Sequence, residues 1–98
     1  MTVRFAPEAQ RHIAAIFTYI NERNPVAARR VVARIRQAAE RLGDFPYIGR
    51  VGLAPATREW VVTGLPYIIV YEVHPETNDI IVLGVYHGAQ LRPGERQD

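Results

Sequence analysis

The feature that most constrains this fold is a run of β-branched and aromatic residues, Tyr67 to Val73, which is apolar at nearly every position. Residues of these types favour a pleated, packed strand. A second run of the same kind spans Ile80 to Tyr86, and the connector 74–79 between them is rich in turn formers. The two runs are therefore predicted to pair as an antiparallel hairpin. A third run, 57–63, precedes the short turn 64–66, so the prediction extends to a three-stranded meander.

These strands are apolar on both faces. An antiparallel sheet with one solvated face alternates apolar with polar residues, whereas here the odd and the even positions are both apolar. Something is therefore expected to cover each face of the sheet. One face, with Tyr67, Tyr71 and Trp60, is expected to pack beneath helices. The opposite face is predicted to consist of Ile68, Val70, Ile81, Leu83 and Val85.

Two amphipathic helices are predicted upstream of the meander. The first begins at Pro7, which suits a first helical position. Asn24 and Pro25 then interrupt the pattern and restart it, as an N-cap followed by a first helical residue. Gly43 is a natural C-terminal stop for the second helix. The apolar stripes, spaced three and four residues apart, are Ile13, Ile16, Phe17 and Ile20 in the first helix and Ala28, Val31, Ile35, Ala38 and Leu42 in the second. The short break predicts a helical hairpin.

The complete element order is predicted to be β-α-α-β-β-β, an α+β fold in one domain, 1–98. Thr2 to Phe5 supplies a brief edge strand, and the loop 44–56 is expected to be pinned by Phe45, Tyr47 and Ile48. The tail, 88–98, is polar and is predicted to be flexible. Two helices can cover one face of an antiparallel sheet but not both. The second apolar face is therefore expected to bind a partner.

Composition excludes several classes of function. The chain of 98 residues contains no cysteine, which excludes disulfides and the usual thiolate zinc sites. Its three histidines are far apart in sequence, so neither a metal site nor a cofactor is expected. No apolar stretch reaches the roughly 20 residues of a membrane span, and no signal peptide is apparent, so a cytoplasmic location is expected. The net charge of +2 permits an acidic partner without requiring one.

Several strings, in this order and spacing, resemble the RelE/ParE family of bacterial toxins. They are the helical hairpin around Asn24-Pro25, the linker 42–50, and the segments 58–62, 64–71 and 85–89. The resemblance covers nearly the whole chain. It implies a helical hairpin on one face of an antiparallel sheet and the role of toxin in a type II toxin–antitoxin pair. It also implies an antitoxin that wraps an extended, partly helical C-terminal segment across the toxin.

The family contains two kinds of toxin. RelE-like members cut messenger RNA on the ribosome, whereas ParE-like members, associated with plasmid stabilization, poison DNA gyrase and are not known as enzymes. In the RNA-cleaving branch an arginine usually follows the first tyrosine of the central strand, and Ile68 occupies that position here. The resemblance therefore favours a ParE-like gyrase inhibitor that is not an enzyme. The alternatives are a ribosome-dependent messenger RNA endonuclease and an inactive, antitoxin-binding co-repressor.

If the chain is a ribonuclease, the resemblance assigns the catalytic role to His87, because part of the nuclease branch uses a histidine there. Arg58 and Arg92 would then stabilise the developing charge. Each residue also has a simpler interpretation: His87 as a polar residue at a strand end, Arg92 as a solvated arginine, and Arg58 as a partner of Glu59 or Glu72.

A partner surface is predicted under all three functions. The expected partner is a ParD-like antitoxin with an acidic, helical C-terminal segment. The chain is expected to reach operator DNA only through this antitoxin. The segment is expected to lie on the second sheet face or on the seam between the sheet and the helices. The cationic residues predicted to bind it are Arg34, Arg41, Arg50 and Arg58, and the apolar ones are Ile68, Val70, Ile81, Leu83 and Val85.

Overall fold

The computed structural model of this chain describes residues 1–95. Two helices pack on one sheet of five strands, which confirms the predicted α+β fold. Within the described residues, no helix is both long enough and apolar enough to cross a membrane. The elements are β1 (Thr2–Phe5), α1 (Pro7–Asn21), α2 (Pro25–Asp44), β2 (Arg50–Val51), β3 (Arg58–Val61), β4 (Tyr67–His74) and β5 (Asp79–His87).

The two helices begin as the sequence predicts. Pro7 opens α1, and Pro25 opens α2 directly after Asn24, whose side chain accepts a hydrogen bond from the Ala27 amide at 3.0 Å. Gly43 does not stop α2, which continues to Asp44. A Cβ at position 43 would lie 2.6 Å from the Met1 carbonyl oxygen. Gly43 therefore permits a close approach of the first residue rather than a helix end.

The strand order is β1-β5-β4-β3-β2. The β3-β4-β5 meander is antiparallel, as predicted. Two features differ from the prediction of a purely antiparallel, four-stranded sheet. Strand β1 runs parallel to β5, because the helical hairpin and the meander separate the two strands in sequence. The loop 44–56 also contains a two-residue strand, β2, which pairs with β3.

A bulge in β5 changes which residues face the helices. Val70 pairs with Gly84 but Tyr71 pairs with Val82, so Leu83 has no partner in the ladder. The extra residue reverses the alternation beyond it. Val85 therefore pairs with Ile69 and is buried in the core beneath the helices. The prediction that Val85 shares a face with Ile81 and Leu83 is wrong for this reason.

The core lies between the helices and the face of the sheet that carries Ile69, Tyr71, Ile80 and Val82. These side chains are fully buried against residues of the helical stripes such as Ile35. Tyr67 and Trp60 pack against the same cluster, which confirms that they face the helices. The position of the core leaves the opposite face of the sheet, called the open face below, as the first surface to consider for function.

Candidate functional site

The open face is less accessible than the sequence suggests. Ile68 and Val70 point away from the helices, yet they are only 8% and 1% exposed. Ile81 and Leu83 are half-buried. The helices cannot cover these side chains, because they lie on the other side of the sheet. Another part of the chain must therefore lie over Ile68 and Val70.

The C-terminal segment, 88–95, lies on this side of the sheet. It leaves the end of β5, where the Gly88 amide donates to the Pro66 carbonyl at 2.8 Å. It reaches the β2–β3 loop, where a Cβ on Gly94 would lie 2.5 Å from the Ala54 nitrogen. These two points lie on opposite sides of β4 and β3, so the segment crosses the open face diagonally. The flexibility predicted for 88–98 stays a prediction, and residues 96–98 lie outside the described part of the chain.

An ion-pair cluster joins this segment to the sheet. Glu59 lies on the open face, paired with Val70, and only 1% of its side chain is exposed. Its Oε1 accepts hydrogen bonds from Nε and Nη2 of Arg50, at 3.2 and 2.9 Å. The Arg92 Nε lies 3.3 Å from the same oxygen, at ion-pair distance but without the geometry of a hydrogen bond. Arg92 therefore ties the C-terminal segment to the sheet.

The electrostatics of the cluster favour an ionised Glu59. Burial alone would raise the pKa of the Glu59 carboxyl, but its interactions with Arg50 and Arg92 outweigh burial and hold that pKa below its ordinary value. The second carboxylate oxygen, Oε2, is buried without a hydrogen-bond partner. The sequence predicts Arg92 as a charge stabiliser but does not indicate its contact with Glu59, because the two residues are 33 positions apart.

The far end of the open face is polar. Arg4 pairs with Asp79 at 3.2 Å, and the His74 ring lies 2.9 Å from Glu72 and 3.0 Å from Glu76. The hydrogen bond with Glu72, followed by that with Glu76, raises the pKa of His74. The expected second apolar face is therefore interrupted by charges at one end and covered by the C-terminal segment in the middle.

A groove lies at the seam between α2 and β3. Its volume is about 370 Å³. Arg34 and Arg41, about two turns apart on the exposed side of α2, line it from one side, and Trp60 and Val62 line it from the other. The Arg34 guanidinium donates to the Thr63 carbonyl, which holds it at the groove. Two cations beside an apolar floor suit an amphipathic segment with acidic side chains.

The other predicted cationic residues lie elsewhere. Arg50 is on the open face with Glu59, whereas Arg58 pairs with Tyr71 and points to the helix side. Its guanidinium donates to the Gly49 carbonyl at 2.7 Å and lies 5.0 Å from the centre of the Tyr47 ring. The structure therefore places Arg34 and Arg41 on one groove, Arg50 on the opposite face of the sheet, and Arg58 against the linker that follows α2.

The three candidate nuclease residues are also apart. His87 and Arg58 flank β4 on opposite sides, at Tyr67 and Tyr71 respectively. Four residues along the strand and two interstrand spacings separate their Cα atoms by about 16 Å. Arg92 is engaged with the buried Glu59. His87 is exposed, and its Nδ1 accepts a hydrogen bond from the Ala89 amide at 3.1 Å within a turn. Arg58 and Arg92 are each held by other contacts, and His87 lies at the other end of β4 from Arg58.

Within residues 1–95, no group of three or more histidine, aspartate or glutamate side chains is arranged to hold a metal ion. Three surfaces remain as candidates for function. They are the seam groove, the open face with the C-terminal segment across it, and the linker between α2 and β2.

Comparison with known proteins gives consistent results. Residues 3–92 match the family model described as the ParE toxin of the type II toxin–antitoxin system parDE. The chain is 40% identical to Y4kP of Sinorhizobium fredii, named as a toxin, over 93% of this chain and 92% of that protein. It is 35% identical to toxin RelE2 of Caulobacter vibrioides, over 81% of this chain and 85% of that protein.

A solved structure shares the fold. It is that of the chromosomal ParDE toxin–antitoxin system from P. aeruginosa, with a TM-score of 0.79 and 19% identity. The similarity covers 89% of this chain and 95% of the matched chain. At this level of identity the match supports the arrangement of helices and strands, while the sequence matches carry the family relationship.

Proposed function

Since the chain belongs to the ParE toxin family of type II toxin–antitoxin systems, we propose that it arrests growth by inhibiting DNA gyrase and is neutralised by a cognate antitoxin. The observation that carries the choice of gyrase is the dispersal of the candidate nuclease residues. His87 and Arg58 lie on opposite sides of β4, and Arg92 is bound to Glu59. Ribonuclease chemistry requires its acid–base and cationic groups around one phosphate, and this arrangement lacks that convergence.

The residue at position 68 also favours a gyrase inhibitor over a ribonuclease. Ile68 occupies the position of an arginine in the RNA-cleaving branch, and it is only 8% exposed. A buried branched side chain cannot bind a phosphate. A toxin that acts by binding its target does not need a cation there.

The antitoxin is proposed to dock at the seam groove rather than on the open face. An acidic segment gains ion pairs with Arg34 and Arg41 there and buries apolar side chains against Trp60 and Ile48. On the open face it would first have to displace the C-terminal segment and leave the buried carboxylate of Glu59 without Arg92. Arg50 would still pair with Glu59, so losing Arg92 costs about 1–3 kcal/mol, less than for a buried charge left with no partner.

A supercoiling assay tests the choice of target. Purified toxin is titrated into gyrase, relaxed plasmid and ATP, and then antitoxin is added. We expect inhibition that the antitoxin reverses. The proposal fails if a large excess of toxin leaves supercoiling unchanged.

The second candidate function is a ribosome-dependent messenger RNA endonuclease. The relative named toxin RelE2 and the exposure of His87 favour it. Under this alternative, His87→Ala abolishes transcript cleavage in translating extracts. Under the gyrase proposal, the same variant arrests growth as the wild type does. A chain that arrests no growth on induction without antitoxin would instead be the inactive co-repressor.

A further inference from the structure

The linker between α2 and β2 presents two exposed aromatic rings. Phe45 and Tyr47 are 53% and 56% exposed, although the sequence predicts that they pin this loop. Of the three residues expected to do so, only Ile48 packs against the core. Large exposed aromatic side chains in a well-ordered position are typical of interaction sites.

The linker is held rigidly from beneath. The hydroxyl of the fully buried Tyr71 accepts a hydrogen bond from the Gly49 amide at 3.0 Å and donates one to the Pro46 carbonyl at 2.8 Å. Arg58 donates to the Gly49 carbonyl at 2.7 Å. A Cβ on Gly49 would lie 2.6 Å from the Tyr71 oxygen. The exposure of Phe45 and Tyr47 is therefore a property of an ordered loop.

Each ring is also held from one side by a guanidinium. Arg41 lies 5.4 Å from the centre of the Phe45 ring, and Arg58 lies 5.0 Å from that of Tyr47. Tyr47 lines two shallow surface grooves of about 400 and 320 Å³. The first groove is lined by the linker itself, and the second by residues that include Val51 and Arg58. Arginine and tyrosine held in place beside grooves are the residue types that dominate binding energy at protein interfaces.

We propose that Arg41, Phe45, Tyr47 and Arg58, called the linker surface below, form the contact with the protein target of growth arrest. The partner surface that fits has an apolar side chain for the groove beside Tyr47, flanked by carboxylates that meet the two guanidinium groups. This inference rests on the proposed function, because it takes the target to be a protein. A nucleic acid strand fits less well, because a guanidinium already covers one face of each ring and so limits base stacking.

The linker surface shares Arg41 with the proposed antitoxin site, but its two rings belong to the linker surface alone, because neither Phe45 nor Tyr47 lines the seam groove. A variant that changes only the rings therefore separates the two sites. The test variant is Phe45→Ala/Tyr47→Ala. The matched control is Tyr19→Ala, which removes a ring that is 62% exposed and stacked under Arg23 at 4.5 Å, the same arrangement on α1.

Four quantities are measured for each protein: the unfolding midpoint, the affinity for the antitoxin, growth arrest without antitoxin, and inhibition of gyrase. We expect the double variant to fold and to bind the antitoxin as the wild type does. It should lose growth arrest and require about 30-fold more protein to inhibit gyrase, as for the removal of an interface hot spot. Tyr19→Ala should match the wild type in all four.

The outcomes separate the two proposals. If the wild type arrests growth without inhibiting gyrase, the gyrase proposal fails, and loss of arrest in the double variant still supports the linker surface. A double variant that arrests growth like the wild type overturns the linker surface. So does a labelled single-stranded oligonucleotide that binds the wild type and not the variant, because the partner would then be nucleic acid. A wild type that arrests no growth overturns both proposals. If the double variant does not fold, Tyr47→Ala alone gives the same comparison.

Discussion

Replacing Glu59 by glutamine removes the charge that ties the C-terminal segment to the sheet, and we expect it to destabilise the chain by about 2–4 kcal/mol. The Arg50 side chain is 59% exposed, so its pair with Glu59 contributes only about 0.2–1 kcal/mol. Arg92 is 12% exposed and keeps a second ion pair, from its Nη1 to Glu95 Oε1 at 3.4 Å, so loss of the Glu59 charge beside it costs about 1.5–3 kcal/mol. For a chain of this size, the midpoint of thermal unfolding should fall by about 10–20 °C.

The effect of this change should depend on pH in a definite direction. The pKa of Glu59 is lowered in the folded chain. Its contribution is therefore fully present above the unfolded value of about 4.3 and is lost as the pH falls through the folded value. Urea unfolding at several pH values should show a constant difference between wild type and Glu59→Gln near neutrality, and a shrinking difference below about pH 4.

A double-mutant cycle that combines Glu59→Gln with Arg92→Ala tests whether the loss of stability comes from the Glu59–Arg92 ion pair. The coupling energy should be about 1–3 kcal/mol. Glu40→Gln is the control, because it removes an exposed glutamate from α2 and should change stability by less than about 0.5 kcal/mol. The reasoning is refuted if Glu59→Gln is as stable as this control, or if the two changes in the cycle are additive.

Three further changes test other parts of the structure. Tyr71→Phe removes both hydrogen bonds that hold the linker and should lower the free energy of urea unfolding by about 1–3 kcal/mol. An unchanged free energy would contradict the claim that Tyr71 holds the linker in place. Reversing both charges of the seam groove, Arg34→Glu with Arg41→Glu, should weaken antitoxin binding by about 100-fold or more in calorimetry while circular dichroism stays unchanged. Equal affinity would place the antitoxin elsewhere. A chain ending at Gln90 should bind more of a hydrophobic dye, because Ile68 and Val70 lose their cover; unchanged dye binding would show that another element covers them.

Local sequence patterns predict most of the fold. The features that they do not predict depend on contacts between residues far apart in sequence. Asn24-Pro25 and the apolar spacing of the helices indicate the hairpin because capping and periodicity act within a few residues. The β5 bulge escaped detection, because Leu83 is as apolar as its neighbours and strict alternation placed Val85 on the wrong face. Gly84 was the available signal, since glycine inside a strand often marks a bulge.

The candidate site was predicted less completely, for a physical reason. Arg34 and Arg41 share one side of α2, so helical periodicity indicates that they act together. The closure of the open face instead depends on a contact between Arg92 and Glu59 across the sheet. Composition alone marks 88–98 as polar and does not show that one arginine in it meets a buried carboxylate. The exposure of Phe45 and Tyr47 likewise follows from the hydrogen bonds of Tyr71 beneath the linker.

The central claim is that the chain closes its own second face and leaves the seam groove for the antitoxin. Hydrogen–deuterium exchange of the toxin, alone and bound to its antitoxin, tests this most directly. We predict that bound antitoxin slows exchange in peptides covering 34–41 and 60–63 and leaves 88–95 as protected as before. Slower exchange over 67–72 together with faster exchange in 88–95 would mean that the antitoxin displaces the C-terminal segment, which contradicts the claim.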